Sequence, residues 1–170
     1  FSISSLNKSF SFIDAGCGNG WVVRYMNSQI LCNSALGIDG ADEMIKKAKK
    51  LDRKGMYILS DLLDFIPEEK VDLVFSMEVF YYLNNPSELV NSIEKYWLKS
   101  GGRLIIGLDY YKENKDCYNW PEHVGTPMKM LSVLEWVDIF QLSGLTNVKY
   151  WQSCSNNDFI GTLVITGESV

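Results

Sequence analysis

Phe12-Ile13-Asp14-Ala15-Gly16-Cys17-Gly18-Asn19-Gly20 decides how the chain folds. An apolar run enters an acid, three glycines follow at every second position, and a helical-period segment comes next. A sharp strand-to-helix turn demands positive φ angles and close backbone contacts, which glycine tolerates and residues with a Cβ resist. Such a turn opens a backbone cradle at the carboxyl end of a buried strand, where ligands of open α/β sheets bind.

The rest of the chain repeats this alternation. Strands are expected at 11–15, 35–39, 56–60, 71–77, 103–108, 147–152 and 159–166, and helices at 19–30, 41–51, 86–98 and 132–143. Trp21, Val22, Met26 and Ile30 set the first helical face, and Val71, Leu73, Val74 and Phe75 form the continuous apolar run of a doubly covered strand. Pro86 suits a first helical turn, and Ser132 with Glu135 forms a capping box. Residues 110–130 read as a long irregular connection. The last two strands are joined by residues 153–158, too few for a parallel crossover, so the final strand is expected to be antiparallel and hairpinned to its predecessor. The expectation is one α/β domain over residues 1–170: a seven-stranded mixed sheet, last strand antiparallel, with helices on both faces.

With 46% hydrophobic and 22% charged residues the chain has ordinary globular usage, which argues against disorder. A net charge of −5 disfavours a nucleic-acid partner, because phosphate backbones are held by basic faces. The one dense basic run, Lys46-Lys47-Ala48-Lys49-Lys50, fits the solvated end of a helix, where cations oppose the dipole. Cys17, Cys32, Cys117 and Cys154 have no zinc-ligand spacing and accompany a single histidine, so no metal site is expected. Free thiols and the lack of an apolar run of about 20 residues point to a cytoplasmic protein without a membrane span. The sequence begins at Phe1 rather than Met, which leaves open an N-terminal lid element outside it.

The glycine turn has a rival reading in the dinucleotide fingerprint G-x-G-x-x-G. Gly16 and Gly18 match its first two positions, but the third falls on Trp21, whose bulk opposes close helix–strand packing. Asp14 is unhelpful beside two phosphates and suits a ligand carrying an ammonium or sulfonium. The run Asp14–Gly20 resembles motif I of class I S-adenosylmethionine (SAM)-dependent methyltransferases, in particular the small-molecule type 11 branch. The resemblance continues in order over residues 11–110. Gly37-Ile38-Asp39-Gly40 ends the second strand, Ser60-Asp61-Leu62 the third, and Val71-Asp72-Leu73-Val74-Phe75-Ser76-Met77-Glu78 forms the fourth. Leu98-Lys99-Ser100-Gly101-Gly102-Arg103-Leu104 resembles the following turn, with Ser100 where family members usually carry proline.

The resemblance implies a Rossmann-like fold, SAM as cofactor and S-adenosylhomocysteine as product. It implies a SAM site of Asp14, Gly16, Cys17, Gly18, Asn19, Gly20, Asp39, Gly40, Met44, Asp61, Leu62, Ser76, Met77 and Glu78. Asp39 would take the ribose hydroxyls as a bidentate acceptor, and Asp61 with the Leu62 amide would clamp adenine. Both acids are also residue types that cap a following turn, and Asp72 reads as structural. Tyr81, Tyr82, Tyr110, Tyr111 and Trp120 are the candidate acceptor wall, an acidic and aromatic setting that hints at an amine-like acceptor. His123 and Tyr81 are the candidate catalytic groups, needed only if the nucleophile must lose a proton. The implied reaction is in-line methyl transfer to a small-molecule N or O acceptor. A tRNA or protein methyltransferase and a non-catalytic SAM-binding partner subunit are the alternatives, and the oligomeric state is left open.

Overall fold

The computed structural model describes residues 8–170, so the first seven residues of the expected 1–170 domain lie outside the described residues. Seven strands form one sheet in the order β3-β2-β1-β4-β5-β7-β6. They are β1 (Phe10–Ala15), β2 (Cys32–Asp39), β3 (Met56–Leu59), β4 (Val71–Met77), β5 (Leu98–Leu108), β6 (Thr146–Ser153) and β7 (Thr162–Glu168). The first five pair in parallel, and β7 runs antiparallel between β5 and β6. The expected mixed sheet with a reversed, hairpinned last strand is therefore present.

Alternation along β1 divides the core. Ile13 and Ala15 face a cluster built with Leu89, Val90, Trp97, Trp136 and Phe140, whereas Phe10 and Phe12 face one built with Val22, Val23, Met26, Ile45 and Ala48. Helices α1 (Trp21–Asn27) and α2 (Asp42–Leu51) thus cover one face. On the other lie α3 (Pro86–Ser92), the π turn Ile93–Trp97 that extends it, and α5 (Val133–Leu142). The capping box of α5 forms as expected, with the Glu135 N–H donating to Ser132 Oγ at 3.2 Å and the Ser132 N–H to Glu135 Oε2 at 2.7 Å. The four cysteines carry free thiols, and no helix among the described residues is long and apolar enough to cross a membrane.

Several boundaries differ from expectation, and three of the differences have a clear local reason. Helix α1 stops at Asn27, and Ile30 stands 99% exposed instead of on its buried face. The Ser28 hydroxyl and Gln29 amide both donate to the Tyr25 carbonyl, and such polar side chains compete for the last-turn carbonyls. Strand β5 begins at Leu98, not Arg103, because the glycine turn is itself paired: Gly101 N–H donates to Ser169 O, and Ser169 N–H to Gly102 O. Strand β7 begins at Thr162, three residues late, because the Asn156 side chain accepts from the N–H groups of Asp158 and Phe159 and holds that segment as a turn. The stretch read as irregular also contains a short helix, α4 (Trp120–Val124).

Asp72, at the amino end of β4, accepts from the Ser11 N–H and hydroxyl at 2.8 and 2.7 Å and pairs with Lys99 at 2.8 Å. It ties the starts of β1, β4 and β5 together, at the opposite end of the sheet from the glycine turn.

Candidate functional site

Gly16, Gly18 and Gly20 adopt φ angles of +83°, +52° and +76°, the region that favours glycine. The Gly16 and Cys17 N–H groups both donate to Ile38 O, which stitches the turn to the end of β2. A Cβ on Gly16 would lie 2.2 Å from Val79, and one on Gly20 2.4 Å from the Tyr57 ring. Among the described residues, a Cβ on Gly18 would meet nothing within 4 Å. The first and third glycines therefore serve packing, and the middle one leaves open space above the turn.

Two carboxylates, Asp39 and Asp14, meet this turn, and a third, Asp61, follows β3. Asp39 Oδ2 accepts from Gly18 N–H at 2.8 Å and Oδ1 from Ala41 N–H at 2.8 Å, so one side chain fixes both the glycine turn and the start of α2. Asp14 is 2% exposed beneath the turn, and burial, reinforced by the Asp39 charge, pushes its carboxyl up to about 7. Asp61 is exposed at the end of β3 and accepts from Leu63 N–H at 2.9 Å, so it braces a turn as its residue type allows. Asn19 Oδ1 is buried without a partner among the described residues. Ser76, 1% exposed, donates its hydroxyl to Ala15 O at 2.6 Å and locks the ends of β1 and β4.

The segment after β4 builds a wall. Glu78 stands at φ +59°, its N–H bonded to Gly107 O. Its carboxylate accepts from Asp109 N–H and the Tyr81 hydroxyl, each at 2.8 Å, so it joins the ends of β4 and β5. Burial, with the Asp109 charge beside it, raises that carboxyl to about 7. Burial and the Glu78 charge push the Tyr81 phenol well above its usual range, so it is a donor at neutral pH. Tyr81 packs on Tyr82 and Tyr110 with centroids 4.7 and 5.4 Å apart, and Tyr110 stacks on Trp120 at 6.2 Å.

Several expected site residues lie elsewhere. Tyr111 points into the core and donates to Gly161 O at 2.7 Å, so it is not part of the wall. Cys17 turns its side chain over Gly37 into the core, and burial raises its thiol to about 12, which leaves only its backbone in the turn. Met44 is 44% exposed on α2 among lysines. Met77 lies over Gly107 of the neighbouring strand. His123 is exposed on α4, and its ring has no hydrogen-bond partner among the described residues. Conversely, Tyr57, Val79 and Asp109 support the site without having been singled out. Asp109 carried a visible signal, because it is an acid at a strand end, like Asp14 and Asp39.

The Methyltransferase domain family model matches residues 13–106, more than half of the chain. The chain belongs to the class I SAM-dependent methyltransferases. A curated relative, the trans-aconitate 2-methyltransferase of Rhizobium rhizogenes, is 33% identical over 94 residues, 55% of this chain and 36% of that protein. The chain spans about a third to a half of the length of the curated relatives it matches. Among solved structures, the Haloferax volcanii putative methyltransferase in complex with the Trm112 activator superposes with TM-score 0.84 at 24% identity, covering 97% of this chain and 84% of that one. The N-methyltransferase NodS of Bradyrhizobium japonicum, in complex with S-adenosyl-L-homocysteine, gives 0.72 at 20% identity over 95% and 79%. These likenesses show the Rossmann-like methyltransferase fold, and the family uses SAM. The turn of this methyltransferase domain fits such a cofactor, with open space at Gly18 and an unpartnered oxygen on Asn19.

Proposed function

We propose that the domain binds SAM on the Gly16–Gly20 turn and transfers its methyl group to a small-molecule N or O acceptor by in-line displacement. The open space above Gly18, framed by Asp39 and the unpartnered Asn19 oxygen, carries this reading. When bound, the cofactor supplies a methyl group already activated on a sulfonium.

The chain's own residues then have three tasks. The first is holding the donor: each Asp39 oxygen accepts one backbone N–H and keeps a lone pair for the ribose hydroxyls. Asp61 and the Leu62 amide would hold the adenine, and the buried Asp14 carboxyl favours a positively charged ligand. The second is alignment, for which Ser76 and Glu78 fix the ends of β1, β4 and β5 to one another. Well-organised alignment lowers a barrier by about 7–11 kcal/mol. The third is exclusion of water, supplied by Tyr81, Tyr82, Tyr110 and Trp120.

Calorimetric titration with SAM, followed by transfer of a labelled methyl group to an acceptor panel, tests this reading. Failure to bind SAM overturns it.

A second reading makes the domain one half of a complex with an activator subunit, as in the Haloferax volcanii neighbour. It is supported by β3, an edge strand on which Met56, Ile58 and Leu59 are exposed and no charge interrupts Met-Tyr-Ile-Leu. Activity that appears only on co-expression with such a subunit would favour it.

A further inference from the structure

Asp109 stands at the end of β5 in an unusual state. Its N–H donates to Glu78 Oε1 at 2.8 Å, and its carbonyl accepts from Asn114 Nδ2 at 2.7 Å. Asn114 is itself 2% exposed, so the backbone of Asp109 is clamped from both sides. Yet its Oδ1 is buried and has no partner among the described residues. An unmet buried acceptor costs about 1–3 kcal/mol, and more when charged, so a complementary donor has a place here.

The surroundings specify the donor. Next in the chain is Tyr110, whose ring continues into a row with Tyr81 on one side and Trp120 on the other, at 5.4 and 6.2 Å. Aromatic faces attract cations, and each oxygen of the neighbouring Glu78 carboxylate already accepts one hydrogen bond, from Asp109 N–H and the Tyr81 hydroxyl. A second anion brought to this corner would meet two carboxylates. An amine offers the N–H that Oδ1 lacks and the positive charge that the rings favour. Asp109 is two strands from the glycine turn in the order β1-β4-β5, about 10 Å across the sheet and at the same carboxyl end of its parallel strands.

We propose that the acceptor is an amine whose nitrogen is held by Asp109 Oδ1 against the Tyr81–Tyr110–Trp120 row. This rests on the SAM-dependent reading above and names its substrate class. The ammonium first gives one proton to water. The neutral amine then donates an N–H to Oδ1, which turns its lone pair toward the methyl carbon. The N–C bond forms as the C–S bond breaks, the bonding pair leaves on sulfur in S-adenosylhomocysteine, and the new ammonium sheds its second proton to water. Positive charge passes from sulfur to nitrogen during the step, so a fixed carboxylate at nitrogen binds the transition state more strongly than the neutral amine. The family match ends at residue 106, before Asp109 and the loop that carries Tyr110 and Trp120.

The test uses the purified chain, labelled SAM and three sets of probes: amines led by benzylamine and 1,4-diaminobutane, carboxylates led by benzoate, and phenol. The expected result is methylation of amines over the other two sets. Asp109→Asn, which keeps shape and size, should lower kcat/KM for the amine at least tenfold while the Kd for SAM stays within twofold. Transfer to carboxylate or phenol in preference to amine, transfer to no amine, or an Asp109→Asn variant as active as the parent would each overturn the proposal. SAM titration separates the two levels: an intact SAM site with the wrong acceptor sinks only the amine proposal, whereas absent SAM binding sinks the reading beneath it.

Discussion

Gly18 N–H donates to Asp39 Oδ2 at 2.8 Å, joining the turn after β1 to the last residue of β2. One carboxylate thereby sets the shape of the glycine turn and stays at its open side with lone pairs to spare. Folding and ligand capture are coupled at this bond, because the group that organises the turn is also the group placed to meet a ribose.

The glycines of the turn separate by substitution. Gly16→Ala places a methyl 2.2 Å from Val79 Cγ2 at φ +83°, so overpacking adds to backbone strain. A loss of about 2–4 kcal/mol is expected, part of it recovered by Val79→Ala. Gly18→Ala meets open space and carries only the left-handed penalty of about 1–2 kcal/mol. Its methyl points to the ligand side, so SAM affinity should drop while the fold persists. Denaturant unfolding and SAM titration of both variants check the split.

Asp72 is the control among the acids. Burial opposes its ionisation, but Lys99 and the Ser11 donors more than compensate and hold its carboxyl below the usual range. Asp72→Asn should cost stability, about 1–3 kcal/mol from the lost charge-assisted bonds, and leave SAM affinity unchanged. Paired unfolding and titration curves decide it.

The pH dependence follows from Asp14 and Glu78, both raised to about 7 in the fold. Between about pH 4 and 7 the folded chain keeps protons that the unfolded chain has released, so these two groups make stability fall as pH rises through that window. Asp14→Asn should flatten the decline between pH 5 and pH 8 by about 1–3 kcal/mol, read from chemical unfolding at each pH. A steeper decline in the variant would contradict the burial argument.

His123 is exposed, and no hydrogen bond from the described residues orients its ring. Positioned general bases contribute about 10²–10⁴-fold. His123→Ala is expected to change turnover by less than about tenfold and SAM affinity not at all. Loss of a hundredfold or more in steady-state kinetics would restore it as the base.

Legibility in the sequence followed the range of the interactions. The glycine spacing, the strand-end acids and the six-residue hairpin are local, and they placed the turn, Asp39 and the reversed β7. Helix α1 was drawn too long because apolar spacing through Ile30 outweighed the competing Ser28 and Gln29 side chains. Tyr110 and Tyr111 are adjacent and point opposite ways, one into the aromatic row and one to Gly161, and no periodicity in an irregular segment assigns that parity. Tyr57 on β3, under Gly20, and Val79 just after β4, against Gly16, are distant from the turn in sequence, so the reasons for two of the three glycines appear only when the sheet is assembled.

Isothermal titration of the chain and its Asp39→Asn variant with SAM and with NAD bears most directly on the account. Saturable one-to-one binding of SAM, weakened about 10–100-fold by the substitution as loss of a charged acceptor implies, with no binding of NAD, is the predicted result. NAD binding without SAM binding, or a Kd for SAM indifferent to Asp39, would contradict it.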